Sequence, residues 1–126
     1  MLKLLVIGVG GFIGALARYG LSGLVHRWAG QSFPLGTLAV NLLGSLLMGA
    51  LMCLAVEREL LAPNARSFLL IGLLGSFTTF STVEYETFEF LRAGDFRMAA
   101  ANALANMVLG VVAVALGWIG VRAISV

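Results

Sequence analysis

Long apolar segments alternate with short polar links along the whole chain. A helix that crosses a bilayer takes about 20 consecutive apolar residues. Four segments meet that length, and they run over residues 4–25, 35–56, 68–91 and 98–121. The links between them are short and carry both prolines. The pattern predicts an all-α membrane protein in which residues 1–126 form a single domain built from four transmembrane helices.

The composition supports the same class. Hydrophobic residues make up 60% of the chain and charged residues 11%, whereas about a quarter of the residues in soluble domains are charged. The net charge of +2 arises from dispersed residues, which argues against a nucleic-acid partner. Cys53 is the single cysteine, so it forms no disulfide within the chain and no zinc site, and we expect it in the core.

Small residues recur at spacings typical of close helix packing. The glycines within residues 8–14 resemble a dinucleotide-binding turn, but that motif needs an acid about 20 residues further on. The first acidic residue here is Glu57. We therefore interpret the small-x-x-x-small spacings at residues 10–14 and 45–49 as places where helix backbones approach each other in lipid.

The polar stretch 75–82, Gly-Ser-Phe-Thr-Thr-Phe-Ser-Thr, lies inside the third apolar segment, and five of its eight residues carry hydroxyls. Two or three hydroxyls could simply bond to carbonyls one turn back. Five of them beside Gly75 predict instead that the third helix is broken near its middle. Carbonyls freed at a break are tolerated only inside protein or along a cavity, where they bind a cation. The helix that restarts near Thr79 would direct its positive end inward.

Other polar residues within the spans have two readings each. Arg18 either extends to the lipid headgroups or reaches an aqueous vestibule, where it would attract anions. Asn41 either bonds neighbouring helices or donates to a permeating anion, and Glu86 lies on a helical face that could line a path. Asn102 and Asn106 share one face of the fourth span, where they either extend a polar track or pack helices.

Basic residues are almost evenly divided between the two sides of the predicted bundle. Four spans place both termini and the second link on one side. That side carries Lys3, Arg58, Arg66 and Arg122, and the other carries Arg27, Arg92 and Arg97. The positive-inside rule therefore selects no orientation. Insertion in both orientations would permit an antiparallel dimer with a two-fold axis in the membrane plane.

Three motifs follow one another along the chain, namely GALARY at 14–19, GTLAVNLLG at 36–44 and GSFTTFST at 75–82. In this order they resemble the Fluc/CrcB fluoride channels over essentially the whole chain. The resemblance implies a fluoride-selective channel, not an enzyme, that lets fluoride leave a bacterial cell passively through its inner membrane. It also implies a dual-topology antiparallel homodimer with two pores and a structural sodium ion at its centre.

The resemblance also assigns residues. It implies that main-chain carbonyls of Gly75 and Thr78 hold the sodium ion, that Asn41 and Phe80 line the fluoride pore, and that Arg18 lies at the vestibule. Further pore-side polar groups are expected at Ser81, Thr82 and Glu86.

Val83 departs from the family pattern. Relatives commonly carry a second pore phenylalanine at this position, and valine lacks the electropositive ring edge that would face an anion. Two other functions stay open from the residues themselves. A small dual-topology multidrug exporter would need a titratable carboxylate deep in the bundle, which span one lacks. A non-transporting membrane subunit would not explain the hydroxyl cluster or Asn41.

Overall fold

Four membrane-length helices make up the bundle in a computed structural model, which describes residues 1–30 and 32–124. The described residues form helices and links, with no strand. The helices are α1 (Leu2–Ala29), α2 (Leu35–Glu57), α3 (63–77), α4 (Phe80–Arg92) and α5 (Phe96–Ile124), and α3 and α4 together make the third membrane-length segment, Pro63–Arg92. The prediction of an all-helical chain with four spans is confirmed.

Backbone contact through glycine joins α1 to α3. A Cβ atom added at Gly10 would lie 2.6 Å from the Phe68 carbonyl oxygen, and one added at Gly72 would lie 2.6 Å from the Ile7 carbonyl oxygen. Gly14 meets the α3 backbone still more closely. The spacing at residues 10–14 therefore allows the close approach that the sequence predicts.

The second glycine contact joins α2 to α5. A Cβ atom at Gly49 would overlap the Val114 carbonyl, and one at Gly117 would overlap the Leu46 carbonyl. Each helix thus supplies a glycine to the other, and the two backbones touch along one side of the bundle. The contact fixes the height of α2 relative to α5, which matters for the site described below.

Ionic contacts connect the second link to the end of α5. Glu57 Oε1 lies 3.1 Å from Arg122 Nε, and Arg58 Nη2 donates to the Arg122 carbonyl at 3.2 Å. Arg66 Nε donates to the Leu61 carbonyl at 3.0 Å and so closes the link on itself. These contacts place the second link and the end of α5 on the same side of the bundle.

A tight turn joins α4 to α5. Gly94 has φ of +76°, and its N–H donates to the Leu91 carbonyl at 3.0 Å, a glycine C-terminal stop that residues with a Cβ rarely make. Asp95 then caps α5, because its Oδ1 accepts the Met98 N–H at 3.0 Å. The turn therefore holds α4 and α5 side by side.

The buried core lies where α2 meets α3. Val40, Leu74 and Phe77 are buried together, and many large apolar side chains elsewhere on the helices stay exposed. Lipid or a partner chain would cover such surfaces. Phe77 belongs to the polar stretch 75–82, so the core extends into that stretch and anchors its first residues.

Candidate functional site

Two extended residues separate α3 from α4. Thr78 has φ −79° and ψ 157°, and Thr79 has φ −150° and ψ 111°, whereas Gly75 keeps helical angles of −62° and −31°. The interruption therefore lies three residues beyond Gly75, the position that the sequence favoured. Threonine is β-branched and suits extended backbone. Thr79 also caps α4, since its Oγ1 accepts the Thr82 N–H at 3.4 Å.

Asn41 of α2 holds the interruption at two points. Its Oδ1 accepts the Thr79 N–H at 2.8 Å, and its Nδ2 donates to the Thr79 carbonyl at 3.1 Å. The amide thus gives the Thr79 N–H the acceptor that it lacks outside a helix, and it adds a second donor to the Thr79 carbonyl, which as the N-cap carbonyl accepts the first bond of α4. Its second Nδ2 hydrogen goes to Asn106 Oδ1 at 2.9 Å. An anion could take a hydrogen from Asn41 only by displacing one of these acceptors.

The interruption redirects two helical donors. In a continuous helix the N–H of residue i bonds to the carbonyl of residue i−4. The Thr79 N–H, which would bond to the Gly75 carbonyl, donates to Asn41, and the Thr82 N–H, which would bond to the Thr78 carbonyl, donates to Thr79 Oγ1. The carbonyls of Gly75 and Thr78 therefore lose their usual α-helical donors.

Gly44 makes room for the interruption on the same face of α2. A Cβ atom there would overlap Thr78 Cγ2 and lie 3.1 Å from Phe77 Cδ1. Thr78 Oγ1 meanwhile donates to the Leu74 carbonyl at 3.0 Å. Gly44 and Asn41 together therefore shape both extended residues from α2.

A chain of side-chain amides leads from Asn41 into α5 and then to α4. Asn106 Nδ2 donates to Asn102 Oδ1 at 3.1 Å and to the Asn102 carbonyl at 3.0 Å. Asn102, which is fully buried, donates to Thr87 Oγ1 at 3.1 Å and to the Val83 carbonyl at 3.3 Å. The structure thus places both fourth-span asparagines in contacts between helices.

Glu86 of α4 meets α2 through a hydroxyl. Thr37 Oγ1 donates to Glu86 Oε1 at 2.5 Å. The other carboxyl oxygen, Oε2, is buried with no hydrogen-bond partner among residues 1–30 and 32–124. These residues, together with His26, line a cavity of about 270 Å³. A buried carboxyl oxygen without a partner is unusual and points to a group that serves function or binds a missing ligand.

A larger cavity connects Arg18 with the interruption. This Arg18 cavity has a volume of about 720 Å³ and is lined by Arg18, Arg27, Thr37, Thr79 and Thr82, among others. Two guanidinium groups therefore share one opening with the hydroxyls of the three threonines. Positive charge at the mouth of a polar cavity raises the local concentration of anions.

Two further cavities lie on other sides of the interruption. The Asn41 cavity, of about 230 Å³, includes Asn41, Ser45, Thr79, Phe80 and Asn106 in its lining. The Phe80 groove, of about 450 Å³, lies between α4 and α5 and is lined by Phe80, Val83, Thr87, Leu91 and Met107, among others. Thr79 lines both the Arg18 cavity and the Asn41 cavity. The interruption therefore separates two polar cavities.

The predicted site residues thus divide into groups. Phe80 and Val83 share the Phe80 groove, and Thr82 lies with Arg18 in the Arg18 cavity. Gly75 and Ser81 are exposed and line none of the four cavities. The structure does not bring Val83 together with Thr82, because neighbouring helical residues point in different directions.

Sequence reasoning gave no separate role to Thr37 or Gly44, although both lie within quoted motifs, and it expected at Thr79 only the restart of the helix. The spacing of polar and small residues along α2 could have identified the α2 members of this group. Thr37, Asn41 and Gly44 are spaced i, i+4 and i+7, which places them on one helical face. That face meets Glu86 and both residues of the interruption.

Comparison with known proteins agrees with this architecture. The model of a family described as CrcB-like protein, Camphor Resistance, matches residues 5–118. This chain belongs to the CrcB-like family. A protein of Geobacter sulfurreducens named fluoride-specific ion channel FluC is 46% identical over 123 residues, which cover 98% of this chain and 97% of the relative.

Two more relatives carry the same name. The protein of Hydrogenovibrio crunogenus is 43% identical over 121 residues, covering 95% of this chain and 92% of the relative. The protein of Magnetococcus marinus is 45% identical over 111 residues, covering 88% of this chain and 90% of the relative. The CrcB-like chain therefore spans nearly the full length of these fluoride-specific channels.

Proposed function

We propose that this CrcB-like protein is a fluoride-selective channel, not an enzyme, and that it lets fluoride leave the cell passively through a bacterial inner membrane. The observation that carries the proposal is near-full-length similarity to proteins named fluoride-specific ion channels. The four membrane-length helices and the basic mouth of the Arg18 cavity are compatible with anion passage. Passive flow requires binding that is weak enough to release the ion.

The fluoride path in this proposal begins at Arg18 and continues along hydroxyls of the Arg18 cavity. Thr82 contributes one of them, and Glu86 lies beside the path with its unpartnered oxygen. Asn41 borders the path at the interruption and Phe80 borders it beyond. Ser81 and Val83 complete the pore lining once a partner chain covers the exposed side of α4.

The partner in this proposal is a second copy in the opposite orientation, which gives a dual-topology homodimer with two pores. Four observations support it. The Phe80 groove is an apolar groove on the surface, Phe80 itself is 61% exposed, and Gly75, five residues earlier in the chain, is also exposed. Basic residues on the two sides of the membrane number four and three, so either orientation is accessible on insertion.

A structural sodium ion at the dimer centre fits the same surface. The Gly75 and Thr78 carbonyls have lost their α-helical donors, and carbonyl oxygens are suitable ligands for alkali cations. Two carbonyls from each of two chains would offer four oxygens. The bound ion would offset the cost of carbonyls without their helical partners at membrane depth.

Flux from liposomes tests the channel itself. Liposomes that contain the pure protein and are loaded with equal fluoride and chloride should release fluoride at least about a hundredfold faster, if the path discriminates by about 3 kcal/mol. Protein-free liposomes provide the control. Equal release of the two anions, or no release above the control, would refute the function.

Thiol labelling tests the orientation. Asn64 is exposed in the first turn after the second link, and Cys53 is buried. In a Cys53→Ser, Asn64→Cys variant, a membrane-impermeant thiol reagent should label about half of the protein in intact cells, as opposite insertion of the two subunits requires. Labelling of all or none would contradict the antiparallel dimer.

Sodium dependence tests the proposed ion. A cation that binds only the folded dimer raises its thermal stability. The melting temperature of the purified dimer should therefore fall when sodium is replaced by a bulky organic cation. An unchanged melting temperature and unchanged fluoride flux would remove sodium from the proposal.

A further inference from the structure

The chain of amides behind Asn41 reaches the interruption from two other helices. Asn41 lies on α2, Asn106 and Asn102 lie on α5, and the chain ends at Val83 and Thr87 of α4. Only the first amide touches the interruption. The others lie behind it, so any influence that they have on the ion path passes through Asn41.

The orientation of every amide in this hydrogen-bonded series is set by the backbone groups at its two ends. At one end the Thr79 N–H can only donate, so Asn41 must turn its Oδ1 towards it. At the other end the Val83 carbonyl can only accept, so Asn102 must turn its Nδ2 towards it. Asn106 joins the two, accepting from Asn41 and donating to Asn102. One arrangement satisfies all of these groups, and hydrogen-bond chains of this kind strengthen their members.

We propose that Asn106 and Asn102 are positioning residues, which hold Asn41 in the orientation that keeps the interruption of the third span open. They do not contact the ion in this proposal. Asn106 Oδ1 occupies one Nδ2 hydrogen of Asn41 and thereby aims the other at the Thr79 carbonyl. The inference rests on the proposed function in one respect, which is that fluoride passes beside the interruption.

Asn106 is the residue to test, because it is half-buried whereas Asn102 is fully buried. Asn106→Leu keeps the size of the side chain and removes both its acceptor and its donors. The loss leaves one hydrogen of Asn41 unpaired and frees the amide to rotate. We expect the Thr79 N–H to exchange with solvent about tenfold faster, the equivalent of one hydrogen bond, and fluoride flux to fall by a similar factor.

Amide exchange of Thr79 is measured by nuclear magnetic resonance in lipid nanodiscs. Asn64, which is exposed in the first turn of α3, gives the matched control, Asn64→Leu, which should leave Thr79 exchange and flux unchanged. The amides of residues 111–118 in α5 report whether Asn106→Leu loosens that helix in general. Unchanged Thr79 exchange in Asn106→Leu, or an equal acceleration throughout residues 111–118, would overturn the proposal.

A double-mutant cycle separates positioning from a direct role in the pore. Residues that act through one another give non-additive effects, whereas independent residues give effects that multiply. Once Asn41→Ala has removed the amide, Asn106→Leu should change flux and Thr79 exchange by less than about twofold, because nothing remains to position. If the full tenfold loss of flux persists in that background, Asn106 lines the pore or packs helices, and the proposal is wrong.

The exchange and flux measurements also distinguish this inference from the proposed function. Absence of fluoride flux in the unmutated protein refutes the channel alone, since the exchange of the Thr79 amide does not depend on the ion. Fluoride flux in the unmutated protein together with additive effects in the cycle refutes the positioning role alone.

Discussion

Asn41→Ala should convert the interruption into a less defined segment. The substitution removes the acceptor for the Thr79 N–H, the donor for the Thr79 carbonyl and the donor for Asn106 Oδ1. Thr79 is half-buried and lines two cavities, so water can partly replace the lost partners. We therefore assign about 1 kcal/mol to the loss of each of the two hydrogen bonds to the Thr79 backbone, which is the low end of the cost of leaving a buried polar group without its partner.

The sum of about 2 kcal/mol corresponds to a factor of about thirty in the ratio of the interrupted conformation to less defined ones. Fluoride flux from liposomes should fall by up to about thirtyfold, and the Thr79 amide, which has lost its acceptor, should exchange about thirtyfold faster. Loss of the bonds is local, so the dimer should survive in detergent.

Asn64→Ala is the control, because Asn64 is exposed at the start of α3. It should leave flux and Thr79 exchange at wild-type values. Flux and Thr79 exchange that are both unchanged in Asn41→Ala would show that Asn41 does not determine the interruption. Reduced flux with unchanged Thr79 exchange would show that Asn41 acts on the ion directly.

Three other substitutions test the surroundings. Gly44→Ala should lower fluoride flux at least about tenfold, because its Cβ would overlap Thr78 Cγ2. Adding Thr78→Ser to that variant deletes the methyl group and should restore part of the flux. If the flux is not restored, this contact is not the cause of the loss. Thr37→Val removes the hydroxyl bound at 2.5 Å to the α4 carboxyl and should slow fluoride flux about tenfold. Thr37→Ser keeps the hydroxyl, so its flux should stay within about twofold of that of the unmutated protein. Equal rates in the two variants would contradict a role for the hydroxyl. Gly49→Leu should lower the melting temperature of the purified protein, because a side chain there meets the α5 backbone. Gly120→Leu is the control, because its side chain enters open space and should leave the melting temperature unchanged. Similar melting temperatures in the two variants would argue against close packing of α2 on α5.

The identity of each helix follows from the sequence. Apolar length alone predicts four spans because the bilayer core demands about 20 apolar residues in each, and the four predicted segments lie within the four observed ones. Glycine spacing predicts where backbones touch, because only glycine lets two helices approach so closely. Gly10 and Gly49 do so.

The position of the interruption could not be obtained with the same accuracy. Glycine is the usual weak point of a helix, so the sequence predicts a break beside Gly75, yet Gly75 remains helical while Thr78 and Thr79 are extended. The difference arises from Asn41, which lies 38 residues earlier in the chain and offers Thr79 a donor and an acceptor together. Local propensity carries no information about such a distant partner.

By itself, then, the sequence determined that this is a four-helix membrane protein, that the stretch 75–82 is unlike a lipid-facing helix, and which family its motifs resemble. Only the tertiary structure decided which residues of that stretch leave the helix and what holds them there. Asn106 shows why. From the sequence it could equally pack helices or line a path. In the structure its Oδ1 accepts a hydrogen bond from Asn41 Nδ2 at 2.9 Å, and this bond depends on the height of α2 against α5, which the glycine contacts set. A hydrogen bond depends on tenths of an ångström, which packing sets and hydropathy does not.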